Sequence, residues 1–310
     1  MNRSWKIATA VAGAIAAVVL LRGCVATSYL IPSQGMENSL YRGERILVNK
    51  WSYGLRLPFM GLWGYHRWRP RPVGKGDIVV FNNPANTRES VVSRRETFIG
   101  RCVGLPGDTL LVDSLFAVTA SMLNAPDQKF LYSYPRDKER LLDSLLCLLG
   151  IDSGLPVDED TTRRVRSFSR YEHYLLQQAM PQGCWLSPLP SSDPASLRPL
   201  VVPARGKEVV VHRWNMALLC NTLVLHEGRR AEIKDDTLYV DGHPATTCRF
   251  TKDYYWVVSN NPANITDSRL FGFVPCDHLI GRAARVWLSK EQGSGPFAGY
   301  RWERVWMPVN

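Results

Sequence analysis

Residues 98–108 read Phe98-Ile99-Gly100-Arg101-Cys102-Val103-Gly104-Leu105-Pro106-Gly107-Asp108. An apolar, partly β-branched run that stops at a Leu-Pro-Gly-Asp sequence has the form of a strand closed by a turn. On a strand, neighbouring side chains face opposite sides, so Gly100 and Arg101 serve different faces. Working outward, residues 46–50, 77–81 and 109–113 are further short β-branched runs separated by Gly and Pro clusters, so the first half is β-rich. Between them, residues 54–76 hold Pro58, Gly61, Trp63, Gly64, Trp68, Pro70 and Pro72, too irregular for a helix and too apolar for a free linker. They are expected to form an ordered surface loop.

The texture changes after residue 117. Residues 137–149 and 158–180 place Leu, Val, Phe and Tyr at helical spacing among charges, with Asp158 and Asp160 as candidate starts, so residues 117–199 are expected to be a helical insertion. The Pro- and Ser-rich residues 188–199 read as its return linker. Strand texture resumes at 208–212, 222–226, 237–240 and 254–258, with the turn Asp241-Gly242-His243-Pro244 among them, and again at 283–288.

The start of the chain decides the expected compartment. Residues 7–21 carry no charge, with Arg3 and Lys6 before them and Arg22 after. A span needs about 20 residues, which 7–26 supply if Lys6 and Arg22 extend toward the two interfaces. Basic residues at the start put that end in the cytoplasm and the rest outside. A cleavable signal peptide stays open as an alternative, as does a lipoprotein-like box at Leu21-Arg22-Gly23-Cys24, in which Arg22 fits poorly. The net charge of +10 is scattered, with local clusters only at Arg67, Arg69, Arg71 and at Arg94, Arg95. No nucleic-acid motif accompanies it, which favours basic loops near a lipid surface over nucleic-acid binding. The cysteines, Cys24, Cys102, Cys147, Cys184, Cys220, Cys248 and Cys276, are far apart and form no C-x-x-C pair. No metal or cofactor site is readable, and disulfide pairs cannot be chosen from sequence.

Five stretches, in order, resemble bacterial type I signal peptidase. The first ends in Ile31-Pro32-Ser33-Gln34-Gly35-Met36; the family reads proline, serine, any residue, serine, methionine, with the second serine as nucleophile, and position 35 is glycine here. The second and third, residues 46–54 and 76–81, look structural, with Asp77 as a turn residue. The fourth is residues 98–108, where the family has lysine then arginine before the turn; the lysine is the general base, position 100 is glycine, and Arg101 survives. The fifth runs from Ser259 to Arg269 and on to Ala283, retaining Asn261, Asp267, Ser268, Arg269, Gly272 and Gly281, with Ile265 at the supporting serine and Ser259, Asn260 and Pro262 in a decayed opening tetrad.

The resemblance implies a mainly β, signal-peptidase-like fold with an N-terminal transmembrane helix and an inserted second domain with helical segments. The expected division is a cytoplasmic start (1–6), a span (7–26), the first part of a membrane-proximal β-domain (29–113), an inserted domain (114–253, helical at 117–199, strands at 201–245) and the completing segment (254–310). A Ser-Lys peptidase needs a hydroxyl aimed at the scissile carbonyl and a desolvated amine to take its proton. Glycine at 35 and 100 supplies neither, and Ile265 cannot orient a lysine. Ser33, two residues before position 35, would stand about 6–7 Å away on an extended strand; the resemblance implies an oxyanion donor there. Arg101 stays protonated at any working pH and cannot be the base. The six histidines show no spacing that suggests a replacement triad and read mostly as surface or turn residues.

These features predict a catalytically degenerate member, single-pass in the bacterial inner membrane with its soluble part on the periplasmic side. Its partners would be membrane lipid and signal peptides of exported precursors or a secretion-machinery protein. One rival reading keeps cleavage with an unrecognised nucleophile such as Ser33 or Ser39. Another makes the chain an envelope structural or assembly protein on a peptidase scaffold, in which residues 117–199 do the work.

Overall fold

The computed structural model describes residues 9–14, 23, 25–57, 60–151, 154, 156–158, 161–180, 183, 185–189, 196–291 and 293–309. The first half supplies β1 (Ala26–Leu30), β2 (Arg45–Asn49), β3 (Ile78–Asn82), β4 (Thr97–Gly104) and β5 (Thr109–Val112). The middle of the chain forms β6 (Lys129–Pro135), α1 (Glu139–Leu149), β7 (Arg163–Ser169), α2 (Arg170–Ala179) and β8 (Arg198–Val201). Then follow α3 (Met216–His226), β9 (Tyr254–Val258), the single turn α4 (Ser268–Phe271) and β10 (Leu279–Leu288). The protein is mainly β, as expected.

The main sheet has seven strands in the order β1, β2, β10, β3, β4, β9 and the short strand Val274–Pro275. Both ends of the chain therefore meet in one sheet: β10 lies between β2 and β3, and β9 pairs with β4. The central strands are buried on both faces. Along β3, Ile78 and Val80 enter a core with Met36, Leu40, Ile46, Val48 and Val286, while Val79 and Phe81 enter another with Cys102, Val257 and Phe271. Period-two alternation with apolar residues at every position demands cover on both sides. On β9, Tyr254, Trp256 and Val258 face a third core, into which α3 packs Leu219 and Leu223.

The middle segment forms helices within both expected spans, α1 in 137–149 and α2 in 158–180, but they lie on a sheet that was not expected. This sheet has four strands, with β6 and β7 flanked by Ser187–Pro188 and Val157–Asp158, and α1 and α2 cover it over a separate core containing Tyr134, Leu142, Phe168 and Leu176. Residues 163–169, expected as helix, form β7 because they pair along their whole length with β6. The helix starts only at Ser169, whose Oγ accepts from Glu172 N at 3.2 Å while Ser169 N donates to Glu172 Oε2 at 2.6 Å. This capping box, rather than Asp158, supplies the start; Asp158 lies in a short strand and Asp160 outside the described residues.

Residues 222–226, expected as a strand, end α3, a helix apolar on nearly every side in which neither period stands out. The expected return linker is partly β8, paired with β5, and residues 190–195 lie outside the described set. Residues 54–76 contain the two-residue ladder of Leu55–Arg56 with Arg67–Trp68 and one helical turn, Met60–Trp63, where no helix was expected.

The expected span at 7–26 falls largely outside the described residues; residues 9–14 are helical and Ala26 already belongs to β1. Among the described residues no helix is long and apolar enough to cross a membrane.

Gly281, at the register shift between β10 and β3, has no room for a side chain on its β2 side. A Cβ there would run into the carbonyl oxygen of Asn49 and stand 2.9 Å from its carbonyl carbon. Gly281→Ala should therefore destabilise the protein by roughly 1–3 kcal/mol in chemical denaturation, the usual cost of overpacking. An unchanged midpoint would contradict this reading of the sheet.

Candidate functional site

Three segments far apart in sequence meet at one end of the main sheet. The first is the turn after β1, in which Met36 and Leu40 are buried in the core and Leu40 N donates to Met36 O at 2.6 Å. These anchors hold Gly35 inward, its carbonyl accepting from Asn261 N at 3.0 Å. A Cβ on Gly35 would lie 2.9 Å from Asn264 Nδ2 and 3.6 Å from Ser259 Oγ. Ser33 is exposed and sits in a bend, so the extended-strand spacing from position 35 is not adopted.

The second segment is the loop from Ser259 to Arg269, clamped by its own polar residues. Asp267 Oδ2 accepts from Ser259 N at 3.0 Å and pairs with Arg269 Nη2 at 2.7 Å. The same guanidinium donates to the carbonyls of Pro262 and Asn264, at 3.0 and 2.9 Å. Ser268 Oγ accepts from Val257 N at 2.9 Å, tying the loop to β9. The retained Asp267, Ser268 and Arg269 thus shape the loop, and their hydrogen bonds satisfy buried backbone groups.

The third is β4. A Cβ at Gly100 would stand 2.5 Å from Val257 Cγ1 and 3.1 Å from Val258 O, so the strand before the loop fills the space a side chain would need. Arg101, on the other face, is buried, and burial lowers its pKa against the opposing pull of Asp127. Its Nη2 donates to Asp127 Oδ2 at 2.6 Å and Ser39 Oγ at 3.0 Å, and its Nε to Asn260 Oδ1 at 3.1 Å. Asn260 Nδ2 completes the knot to Ser39 Oγ at 2.7 Å and Asp127 Oδ2 at 2.8 Å.

Asp127 opens an arm, Asp127-Gln128-Lys129, that leads into β6 and enters this centre. Gln128 Nε2 donates to the carbonyls of Ser259 and Asn260, at 3.2 and 2.8 Å, and Lys129 N to that of Asn260 at 2.9 Å. Lys129 Nζ meets Glu37 Oε2 at 2.8 Å, with side-chain exposures of 0 and 1%, and Glu172 lies at 3.9 Å. Asn261 Nδ2 also donates to Glu37, at 3.2 Å. An amine is therefore brought to the centre, engaged by a carboxylate two residues beyond Gly35. The sequence reading missed it; the signal was a lone lysine opening the apolar run Phe130, Leu131, Tyr132, since such a residue is buried only with a partner.

Ile265 is 57% exposed and lines, with Pro262, Leu270, Leu115, Phe130 and Leu189, a mainly apolar cleft of about 520 Å³ beside this network. The structure thus brings Gly35, Met36, Arg101 and the 259–269 loop together, turns Gly100 against Val257, and leaves Ser33 and Ile265 at the surface. Among the described residues no group of side chains suits a metal ion. Cys102, Cys147, Cys220, Cys248 and Cys276 are free thiols, while Cys24 and Cys184 lie outside the described residues.

An antiparallel β-scaffold whose polar centre joins the residue 32–40 turn, β4 and the 259–269 loop is the class the structure defines. The chain belongs to the signal peptidase, peptidase S26 family, whose model matches residues 4–163 and 244–288, more than half of it. It is similar to signal peptidase I of Buchnera aphidicola subsp. Schizaphis graminum, 25% identical over 93% of this chain and 76% of the relative. Signal peptidase I of Haemophilus influenzae is 22% identical over 95% and 73%. That of Pseudomonas aeruginosa is 36% identical over a shorter stretch, 30% of this chain and 29% of the relative.

The histidines read mostly as surface or turn residues, but His226 and His278 are buried elsewhere in the fold. His278 Nδ1 lies 2.7 Å from Asp277 Oδ1, and its ring is 5.3 Å from that of His226. Burial, with His278 beside it, pushes His226 down to about 3. Burial alone would raise Asp277, but the His278 hydrogen bond and Lys252, at 2.7 Å, hold it below the usual carboxylate range.

Two outcomes follow for this region. Lys129→Met, which leaves Glu37 buried without its cation, should cost about 3–5 kcal/mol in denaturant unfolding, and Lys129→Met/Glu37→Leu should recover much of it; equal losses would refute the pairing. His226 is neutral when folded and protonates in the unfolded chain at a pH near 6.5, so its contribution is present above that pH and is lost as pH falls toward 3. The fall in thermal midpoint from pH 7 to 4 should be shallower in His226→Gln, and an unchanged slope would contradict the assignment.

Proposed function

We propose that this chain is a non-catalytic member of the signal peptidase family that binds segments of exported precursors. In this reading it is anchored once in the bacterial inner membrane, with its sheet on the outer side. The observation that carries it is the pair Gly35 and Gly100: neither position bears a reacting group, and Asn264 and Val257 occupy the space beside them. Ile265, at the family's supporting-serine position, adds a third loss and faces the cleft instead.

Surrounding chemistry offers no substitute in this reading. Ser39 Oγ is held by two donors, Arg101 and Asn260, and the carboxylate in the same knot, Asp127, is itself bound by both of them. Lys129 is bound to Glu37. What remains suits binding: the apolar cleft beside Pro262, Ile265 and Leu270 would take apolar side chains of a precursor segment, and the clamped loop would hold its wall.

The test is a cleavage assay of the detergent-solubilised full chain on a precursor with a small-residue cleavage site, with binding of the same precursor measured in parallel. The expected result is saturable binding without processing. Processing that disappears in Ser33→Ala or Ser39→Ala would overturn the non-catalytic reading, and absence of binding would leave the scaffold reading, with the middle segment as its working part.

A further inference from the structure

Away from the centre, a further cavity of about 240 Å³ opens where β2, β3 and β4 meet the short strand Leu55–Arg56. Its polar wall is contributed by Tyr29, Lys50, Arg56, Asn82, Ser93 and Thr97, and among the described residues no aspartate or glutamate lines it. Six donor-bearing side chains thus converge on a space large enough for a small tetrahedral anion.

The hydrogen-bond partners of Arg56 are neutral. Arg56 Nη1 donates to Asn82 Oδ1 at 2.9 Å and to the carbonyl of Asp277 at 3.2 Å, while its Nε and Nη2 hold no hydrogen bond within the described residues. Lys50 Nζ donates to the carbonyl of Gly23 at 3.1 Å. Burial, with Arg67 close by, lowers Arg56 to about 10. The nearby acid, Asp277, has its carboxylate engaged by Lys252 and His278, each at 2.7 Å. A guanidinium half-withdrawn from water with two unengaged donor groups is the kind of site that a bound anion stabilises.

We propose that this pocket binds a phosphate group, held by Arg56 and Lys50 and completed by the hydroxyls of Tyr29, Ser93 and Thr97. A carboxylate would leave more of these donors unused than a tetrahedral oxyanion does. The group comes from a phospholipid headgroup or from free phosphate; Gly23 at the rim lies two residues beyond the uncharged residues 7–21. The site stands independently of whether the chain cleaves or binds precursors.

Calorimetric titration of the full chain in phosphate-free, non-ionic detergent tests it, with inorganic phosphate in one arm and a short-chain phosphatidylglycerol in the other, at constant ionic strength. Saturable binding at one equivalent is expected, weakened roughly tenfold or more in Arg56→Gln and in Lys50→Gln, and unchanged in the exposed control Lys234→Gln. Binding in the lipid arm alone assigns the phosphate to a headgroup, and in both arms, with mutual competition, to either source. Should Arg56→Gln fail to fold, Lys50→Gln and Thr97→Val carry the same reading. No saturable binding in either arm, or binding unaffected by the pocket substitutions, would overturn the proposal.

Discussion

A buried ammonium and a buried carboxylate, Lys129 and Glu37, hold the middle of the chain against the turn that carries Gly35. Neither charge reaches water, so each depends on the other and on the groups around them, and removing one partner is far costlier than removing both. Because Lys129 opens β6, the pair fixes where the four-stranded middle sheet begins relative to the main sheet. Through Asn261 it also joins the loop that closes over the centre. The second knot, Arg101 with Asp127, Asn260 and Ser39, repeats this logic from β4.

These two knots give the centre its character. Three carboxylates, Glu37, Asp127 and Asp267, face three cations, Lys129, Arg101 and Arg269, and each charge is matched within hydrogen-bonding distance. A hydrolytic site pairs its nucleophile with a base within hydrogen-bond reach. In the proposed account the polar groups here maintain shape, and the apolar cleft next to them provides the surface for a ligand. The fit of Val257 against Gly100 belongs to the same arrangement, since the strand leading into the loop rests where a side chain on β4 would otherwise project.

Much of the β-scaffold was legible in the sequence. The runs that became β2, β3, β5 and β9 announced themselves by β-branched residues between Gly and Pro turns, and the stretches around Gly35, Gly100 and Ile265 were recognisable as family segments. What sequence periodicity missed has specific causes. Residues 163–169 carry arginines among apolar residues, a pattern compatible with helix until the pairing with β6 decides it. α3 is too uniformly apolar for its period to show. Lys129 could not be placed at the centre because its partner lies 92 residues earlier, and the burial of His226 and His278 likewise comes from packing between distant segments.

The most direct test of the account is the thermal unfolding of Gly100→Ala, alone and combined with Val257→Ala. A side chain at 100 meets Val257 Cγ1 at 2.5 Å, so the account predicts a clear loss of stability for Gly100→Ala that the second substitution partly relieves. An unchanged midpoint for Gly100→Ala, with a folded Gly100→Lys protein that gains cleavage when serine is restored at positions 35 and 265, would contradict it, because the centre would then be open and missing only its reacting groups.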